Sequence, residues 1–235
     1  MDGNGRWAIR RGLPRSAGHR AGAKAAERVI EAAPALGIRT LTLYAFSSDN
    51  WRRPLPEVAG LLGLFRAYLR TETERGVNNG VALNVIGRRD RLPPSLLEAI
   101  TRAESATAGG NRLELRIAVD YSARRAILQA AARFESDRCS ECWEDRFAEL
   151  LAQVDHGRQP VRPVDVFLRT GGEQRLSDFL LWESAYAELF FRRELWPDFR
   201  PGDLAEVLSE FRLRERRFGA VGMDGGSPAR VSLIS

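Results

Sequence analysis

The chain opens with Met-Asp-Gly-Asn-Gly-Arg-Trp, a glycine-rich turn that holds an acid and an arginine. Glycines let backbone N–H groups approach a phosphate closely, Arg6 can neutralise its charge, and Asp2 can hold a divalent cation. These residue types at this spacing indicate a site for a metal-bound diphosphate. A glycine-rich turn is weak evidence alone, so the prediction depends on what else the chain offers.

Three further clusters suit phosphate groups. Arg15 and His19 lie four residues apart near the start of a predicted helix, where the helix N-terminus itself favours anions. Residues 47–54, Ser-Ser-Asp-Asn-Trp-Arg-Arg-Pro, bring hydroxyls, an amide and two guanidiniums into one loop. Arg169 and Arg175, six residues apart, bracket a Gly-Gly turn that suits a second phosphate group.

Hydrophobic periodicity predicts the elements that must position these clusters. Helices are predicted over residues 21–36, 56–75, 94–106, 124–134 and 143–154, and strands over 38–46, 81–86, 113–119 and 164–168. This alternation predicts an α/β fold, with a mostly parallel central sheet flanked by helices in a single domain, residues 1–219. Residues 220–235, rich in glycine and serine, are predicted to form a mobile tail. Ligands bind beyond the carboxyl ends of parallel strands, where the loops 47–54 and 169–177 fall.

Composition narrows the classes of function without choosing one. The net charge of +5 comes almost wholly from arginine, which suits nucleic acid, anionic lipid or phosphorylated small molecules, or reflects genome composition. Cys139 and Cys142 form a C-x-x-C pair, but the chain has only two cysteines and two histidines, so we expect thiols in a polar segment and no zinc site. No apolar run approaches the roughly 20 residues of a transmembrane segment, so we expect a cytoplasmic protein.

With these motifs in this order, the sequence resembles the cis-prenyltransferases, the family that includes undecaprenyl diphosphate synthase. The matching stretches are residues 1–7, 12–22, 43–54, 165–188, 196–199 and 214–219. The resemblance implies that the chain adds isopentenyl diphosphate to an allylic diphosphate such as farnesyl diphosphate, forming a cis double bond at each step. It also implies Mg²⁺ as cofactor, and a homodimer in which Arg217-Phe218-Gly219 reaches the partner's site.

The resemblance further implies a role for each matching residue. Asp2 is the essential aspartate that handles Mg²⁺ and the leaving diphosphate, and Glu188 is a second acidic metal position. Asn50 matches the position credited as proton acceptor, but an amide is a very weak base, so we expect it to orient a diphosphate oxygen or water instead. The implied substrate-binding residues are Gly3, Asn4, Gly5, Arg6, Trp7, Arg15, His19, Ser47, Ser48, Asp49, Trp51 and Arg53 around the allylic diphosphate, and Arg169, Arg175, Leu176 and Ser177 around isopentenyl diphosphate.

A growing polyprenyl chain needs a dry tunnel. Apolar residues of the predicted helix 56–75 offer one wall, although such a stripe is also typical of ordinary core. They are Val58, Leu61, Leu62, Phe65, Tyr68 and Leu69. Ala45 matches a position where a bulkier residue shortens the product in relatives, which favours a medium or long chain. The oily product implies proximity to a membrane surface.

The chain departs from the family pattern in three places. Relatives have a strand before the Met-Asp-Gly-Asn motif, so we expect the sheet to lack that first strand and Asp2 to lie on a fraying terminus. Residues 120–124 read Asp-Tyr-Ser-Ala-Arg where relatives usually have Asn-Tyr-Gly-Gly-Arg, and Ser177-Asp178 replaces Ser-Asn. The alternative function is therefore an N-terminally truncated, weakly active or inactive member that acts as a partner subunit.

Rivals of other classes fit less well. A silent partner subunit would lose the acid and the diphosphate arginines, which this chain keeps. A nucleic-acid binder would cluster its charge on one helix with interleaved aromatics. A trans-type prenyl synthase would be all-helical and carry Asp-Asp-x-x-Asp, which does not occur in this sequence.

Overall fold

The structure is a computed structural model that describes residues 1–134, 142–214 and 230–234, the last five by their backbone. The helices are α1 (Asn4–Ile9), α2 (Arg15–Ala32), α3 (Leu55–Asn78), α4 (Pro94–Ala106), α5 (Ala123–Ala132), α6 (Trp143–Val154) and α7 (Pro201–Leu213). The strands are β1 (Thr40–Ser47), β2 (Val81–Ile86), β3 (Leu113–Tyr121), β4 (Val166–Arg169), β5 (Glu188–Phe191) and β6 (Arg230–Ile234). Short 3-10 helices lie at Ser48–Arg52 and Trp196–Asp198.

The strands form one parallel sheet in the order β2-β3-β1-β6-β4-β5. Successive side chains of a strand point to opposite faces, and here both faces are buried. Ile117 and Leu168 belong to the larger core cluster, whereas their neighbours Ala118 and Phe167 belong to a second cluster on the other face. Burial on both faces explains why the strands are nearly continuous in apolar residues, and it confirms the predicted α/β fold.

Several predicted elements match the structure closely. The bounds of β2, α4 and α6 are those predicted from the sequence, and β1 differs from its prediction by a shift of one or two residues. The predicted helix 21–36 instead begins at Arg15, directly after Pro14, which adopts the extended conformation of an N-cap residue. The sequence analysis assigned no element to α1, β5 or α7.

The prediction of a mobile tail is wrong for residues 230–234, which form β6. Residues 40–43 of β1 lie opposite residues 230–233, and β4 lies opposite residues 231–234. A sheet that lacks a core strand would leave a row of unpaired backbone groups, but β6 supplies partners to both β1 and β4. The Gly- and Ser-rich residues before β6 hid this short strand from periodicity analysis.

Two other expectations concern residues at the ends of the described segments or beyond them. The terminal motif of residues 217–219 and Cys139 lie outside the described residues. Cys142, which directly precedes α6, is disulfide-bonded, so the expectation of a thiol there is wrong. Across residues 1–134, 142–214 and 230–234, no helix has the length and apolar character needed to cross a bilayer.

Candidate active site

Asp2 is fixed at the carboxyl end of the sheet. Its backbone N–H donates to Thr170 Oγ1 at 3.0 Å, and its carbonyl oxygen accepts from the Trp196 N–H at 2.9 Å. Thr170 directly follows β4, and Trp196 begins a 3-10 helix. The expectation that Asp2 lies on a fraying terminus is therefore wrong, because backbone hydrogen bonds from distant parts of the chain hold it.

Arg169, the last residue of β4, organises the surroundings of Asp2. Its side chain is only 5% exposed, and its Nη2 donates to Asp2 Oδ2 at 3.0 Å. Its Nη1 donates to the Arg175 carbonyl oxygen at 2.6 Å and to Ser177 Oγ at 2.7 Å. One buried guanidinium thus ties together the acid and the loop after β4, as the planar fork of arginine allows.

A second guanidinium, that of Arg6, also lies beside the Asp2 carboxylate. Arg6 Nη2 lies 3.3 Å from Asp2 Oδ1. Burial alone would raise the pKa of the Asp2 carboxyl, but the hydrogen bond and charge of Arg169, with the charge of Arg6, lower it below its ordinary value. Gly171 has φ +87°, a conformation that residues with a side chain rarely adopt, and a Cβ there would also crowd Asp2 Cβ at 3.2 Å, so glycine suits this close approach. Asp2 is therefore ionised beside two cations.

Two guanidiniums and an imidazole form a second cluster around Glu57, in the first turn of α3. Glu57 Oε1 lies 3.3 Å from Arg15 Nη2, 3.2 Å from Arg53 Nη1 and 3.6 Å from His19 Nε2. Burial alone would raise the pKa of Glu57, but Arg15, Arg53 and His19 lower it. The sequence analysis missed Glu57. Its only signal was the four-residue spacing from Arg53, which is common on any exposed helix.

Four buried polar atoms of predicted site residues have no hydrogen-bond partner within the described part of the chain. They are Asn4 Oδ1, His19 Nε2, Trp51 Nε1 and Arg169 Nε. A buried polar atom without a partner is costly and rare, so such atoms need an explanation. Four of the seven such atoms in the described residues thus belong to residues predicted to bind substrate, which fits a site that a polar ligand completes.

A mainly apolar cavity of about 120 Å³ extends from Asn4 and His19 into the core. It lies between α2, α3, β1 and β3. The predicted tunnel residues Ala45, Leu61, Leu62, Phe65 and Tyr68 line it. Val58 instead packs in the main core, and Leu69 lines a neighbouring cavity of about 520 Å³ that also touches Tyr68. His19 therefore belongs both to the cluster around Glu57 and to the lining of an oily cavity.

The loop after β1 is shaped by its own hydrogen bonds. The Ser47 backbone N–H donates to Asn50 Oδ1 at 3.2 Å, and the Ser47 side chain accepts from the backbone of Asn50 in return. Since the Asn50 side-chain oxygen is already an acceptor for Ser47, its NH₂ group is what remains to contact a ligand. This supports the expectation that Asn50 orients a substrate oxygen and does not act as a base.

Several predicted binding residues have their polar groups engaged elsewhere. Trp7 Nε1 donates to Asp198 Oδ1 at 2.7 Å, and Ser48 Oγ donates to Asp120 Oδ1 at 3.0 Å. Asp49 is largely exposed and pairs with Arg52 at 3.4 Å, while Leu176 packs against the second core cluster. The side chains of Asp49 and Leu176 are thus not brought into the cluster around Asp2. Arg175 remains more than half exposed and pairs with Glu173 at 2.6 Å.

Glu188 is not brought beside Asp2. It begins β5 opposite Val166, whereas Arg169, the partner of Asp2, lies opposite Phe191 at the other end of the pairing. Three residues along a strand span about 10 Å. Glu188 Oε2 instead accepts from Arg214 Nη1 at 2.6 Å. The motif match alone did not reveal this, because position along a strand emerges only from the register of the sheet.

Replacing Glu57 with glutamine is expected to tighten binding of an anionic ligand at the second cluster roughly tenfold, because the carboxylate no longer competes with the ligand for the guanidiniums of Arg15 and Arg53. The pKa of His19 is already lowered by burial and by the charges of Arg53 and Arg15, while Glu57 opposes that shift. The substitution should therefore lower the pKa of His19 further. An NMR titration measures this directly, and His156, whose pKa does not depend on Glu57, is the internal control. An unchanged His19 pKa would contradict the role of Glu57.

The chain is similar in sequence to proteins of one family. Residues 1–219 match the family model of undecaprenyl diphosphate synthases. The chain is 56% identical over its full length to isoprenyl transferase 1 of Bradyrhizobium diazoefficiens, covering 92% of that protein. It is 45% identical to a farnesyl-diphosphate-specific ditrans,polycis-undecaprenyl-diphosphate synthase of Pseudomonas aeruginosa, covering 99% of this chain and 93% of the relative.

Solved structures agree with the sequence relatives. Lavandulyl diphosphate synthase of Lavandula x intermedia, in complex with dimethylallyl diphosphate, superposes with a TM-score of 0.84 at 32% identity, over 93% of this chain and 95% of that one. A probable undecaprenyl diphosphate synthase of Campylobacter jejuni gives a TM-score of 0.72 at 34% identity, over 85% of this chain and 92% of that one.

Proposed function

The chain belongs to the undecaprenyl diphosphate synthase family, and we propose that each of its two arginine clusters binds one substrate of an isoprenyl transferase. The enzyme condenses isopentenyl diphosphate with an allylic diphosphate and so elongates a prenyl chain. The cluster of Arg15, His19 and Arg53 holds the allylic diphosphate, and the loop of Arg169 to Ser177 holds isopentenyl diphosphate. The observation that carries this division is the oily cavity that begins beside His19, where the allylic hydrocarbon would extend.

In each round the allylic C–O bond breaks, a new C–C bond forms to isopentenyl diphosphate, and that substrate loses a proton. Negative charge grows on the departing diphosphate, so guanidiniums already aimed at its oxygens stabilise the transition state most. The guanidiniums of Arg6, Arg15 and Arg53 supply this stabilising positive charge on the allylic side. Asn50 donates its NH₂ group to a diphosphate oxygen, which can then accept the proton in place of a side chain.

The residues around Asp2 fit Mg²⁺. In the described residues no group of three or more His, Cys, Asp or Glu side chains could hold a metal. Mg²⁺ is commonly bound through one or two carboxylates together with substrate phosphates and waters, so the ionised Asp2 and a diphosphate suffice. When bound, Mg²⁺ neutralises the leaving diphosphate. Because Glu188 starts β5 at the far end from Asp2, we assign the ion to Asp2 alone within one subunit.

We propose a medium or long product, which the small side chain of Ala45 in the cavity wall supports. Ala45 lies among Leu61, Leu62 and Phe65, where a larger residue would shorten the space open to the hydrocarbon. We propose farnesyl diphosphate as primer, since a relative at 45% identity is named for that specificity. Localisation in the cytoplasm and contact with a membrane surface stay predictions of the sequence.

The decisive experiment incubates the purified chain with Mg²⁺, farnesyl diphosphate and radiolabelled isopentenyl diphosphate, and separates the extracted products by chromatography. We expect labelled polyprenyl diphosphates, and no product after chelation of the metal. Absence of labelled product with Mg²⁺ present would instead favour the alternative, an inactive partner subunit.

We also propose that the chain forms a homodimer through the β5 edge of the sheet. Two large apolar side chains are exposed in β5 or directly before it, with Tyr186 74% and Leu189 40% exposed. Burying them would remove apolar surface from water. Replacing Leu189 with glutamate should convert a dimer to a monomer in sedimentation velocity, whereas glutamate at Leu128, exposed on α5, should not. A wild-type monomer at micromolar concentration would refute the proposal.

A further inference from the structure

The turn that joins β3 to α5 contacts the loops of both proposed substrate sites. It is taken here as residues 120–124, which are the last two residues of β3, Ser122 and the first two residues of α5, and it contains the departure from the family pattern noted in the sequence. Its first residue faces the loop 47–53, and its third residue faces the loop 169–178. None of these turn residues belongs to the substrate-binding set proposed above, so their contacts call for a separate explanation.

Asp120 holds the loop on the allylic side. Its side chain is fully buried and its φ is +51°, an unusual conformation for a residue other than glycine. Asp120 Oδ2 accepts from Arg91 Nε at 2.9 Å, Asp120 Oδ1 accepts a further bond from Arg91, and Oδ1 also accepts from Ser48 Oγ at 3.0 Å. The Arg91 guanidinium in turn lies 5.2 Å from the centre of the Trp51 ring. One carboxylate therefore fixes both flanks of Asn50.

Ser122 and Asp178 form the corresponding contact on the other side. Ser122 Oγ donates to Asp178 Oδ2 at 2.5 Å, and the Arg124 N–H donates to Asp178 Oδ1 at 2.8 Å. Asp178 has φ +59° and directly follows Ser177, which accepts from Arg169. Both Ser122 and Asp178 replace the residues usual in relatives, glycine and asparagine. The hydroxyl and the carboxylate are chemical partners, so the two departures complement each other.

We propose that Asp120 and the Ser122–Asp178 pair are positioning residues, each for one substrate: Asp120 for the allylic diphosphate, and Ser122–Asp178 for isopentenyl diphosphate. The inference rests on the proposed function, and it adds that the loops of the two substrate sites are positioned by different residues. Asp120 acts through Ser48, Arg91 and Trp51 on the loop of Asn50 and Arg53. Asp178 acts through the backbone of Ser177 on the hydroxyl that Arg169 holds.

The test measures the Kd of each diphosphate alone by calorimetry with Mg²⁺, because neither substrate can condense without the other. Asp120→Ala should raise the Kd of farnesyl diphosphate at least about tenfold, the usual scale for losing hydrogen bonds to a charged group, and should change that of isopentenyl diphosphate less than about twofold. Asp178→Ala should show the reverse. Asp120→Asn and Ser122→Ala keep more of the local structure, and should give the same pattern with smaller shifts.

Asp155→Asn is the matched control. Asp155 is a buried acid that accepts from Arg125 of α5 at 3.0 Å, so it tests damage to α5 without touching either loop. It should leave both Kd values unchanged. If the wild-type protein binds neither diphosphate, the proposed function fails. If it binds both, but Asp120 and Asp178 variants weaken both substrates equally or neither, the positioning roles are refuted.

Discussion

Asp2→Asn is expected to lower turnover of farnesyl diphosphate and isopentenyl diphosphate at least about a thousandfold, with only a modest fall in the unfolding midpoint from the loss of a charged partner for the buried Arg169. Asparagine keeps the shape of the side chain and an oxygen that can accept from Arg169, but it removes the charge that would hold Mg²⁺ against the leaving diphosphate. Electrostatic groups of this kind are commonly worth a factor of a hundred to a thousand each in turnover, and here a cation and its ligand are lost together.

The fold should survive this change because the anchors of Asp2 are backbone groups. Its N–H donates to Thr170 Oγ1 and its carbonyl oxygen accepts from the Trp196 N–H, and neither bond involves the Asp2 side chain. Single-turnover rates and thermal unfolding of the same preparation therefore separate chemistry from stability. Asp90→Asn is the matched control, since Asp90 is an exposed acid that pairs with Arg88 and belongs to neither proposed substrate site. Unchanged turnover in Asp2→Asn would remove Asp2 from the mechanism.

The parts of this site that could be predicted are those that follow from the order of strands and loops along the chain. Parallel strands bring their carboxyl ends together, so loops directly after β1 and β4 had to meet, and Arg169 was found for this reason. Asp2 was found through its glycine-rich turn. The anchoring of Asp2 by Thr170 and Trp196 was not foreseen, because such hydrogen bonds join residues far apart in the chain.

The parts that could not be predicted depend on register and tertiary contact. Glu188 matched a motif, but its distance from Asp2 follows from the pairing of β5 with β4. Glu57 gathers cations from α2 and from the loop after β1, which periodicity cannot show. β6 lies between strands that precede it by many residues, and no local pattern indicates such a non-local insertion.

Arg169→Lys is expected to lower kcat/KM at least about a hundredfold although the positive charge is kept. The guanidinium of Arg169 bonds to Asp2 through Nη2 and to the Arg175 carbonyl oxygen and Ser177 Oγ through Nη1. An ammonium is a compact point charge that cannot span these acceptors from one position, so at least one of them loses its donor in a buried site. Both the acid and the loop that holds isopentenyl diphosphate would then shift.

The comparison that isolates this effect is Arg89→Lys. Arg89 is also a largely buried arginine, and its Nη2 donates to both carboxylate oxygens of Glu104, at 2.9 and 3.1 Å, away from the proposed substrates. Both variants should lower the unfolding midpoint, since each weakens a buried hydrogen-bonded charge. Only Arg169→Lys should also change steady-state kinetics, chiefly through the KM of isopentenyl diphosphate and kcat. Equal loss of activity in the two variants would mean that Arg169 matters only for folding. The link between Asp2 and the loop after β4 would then not contribute to catalysis.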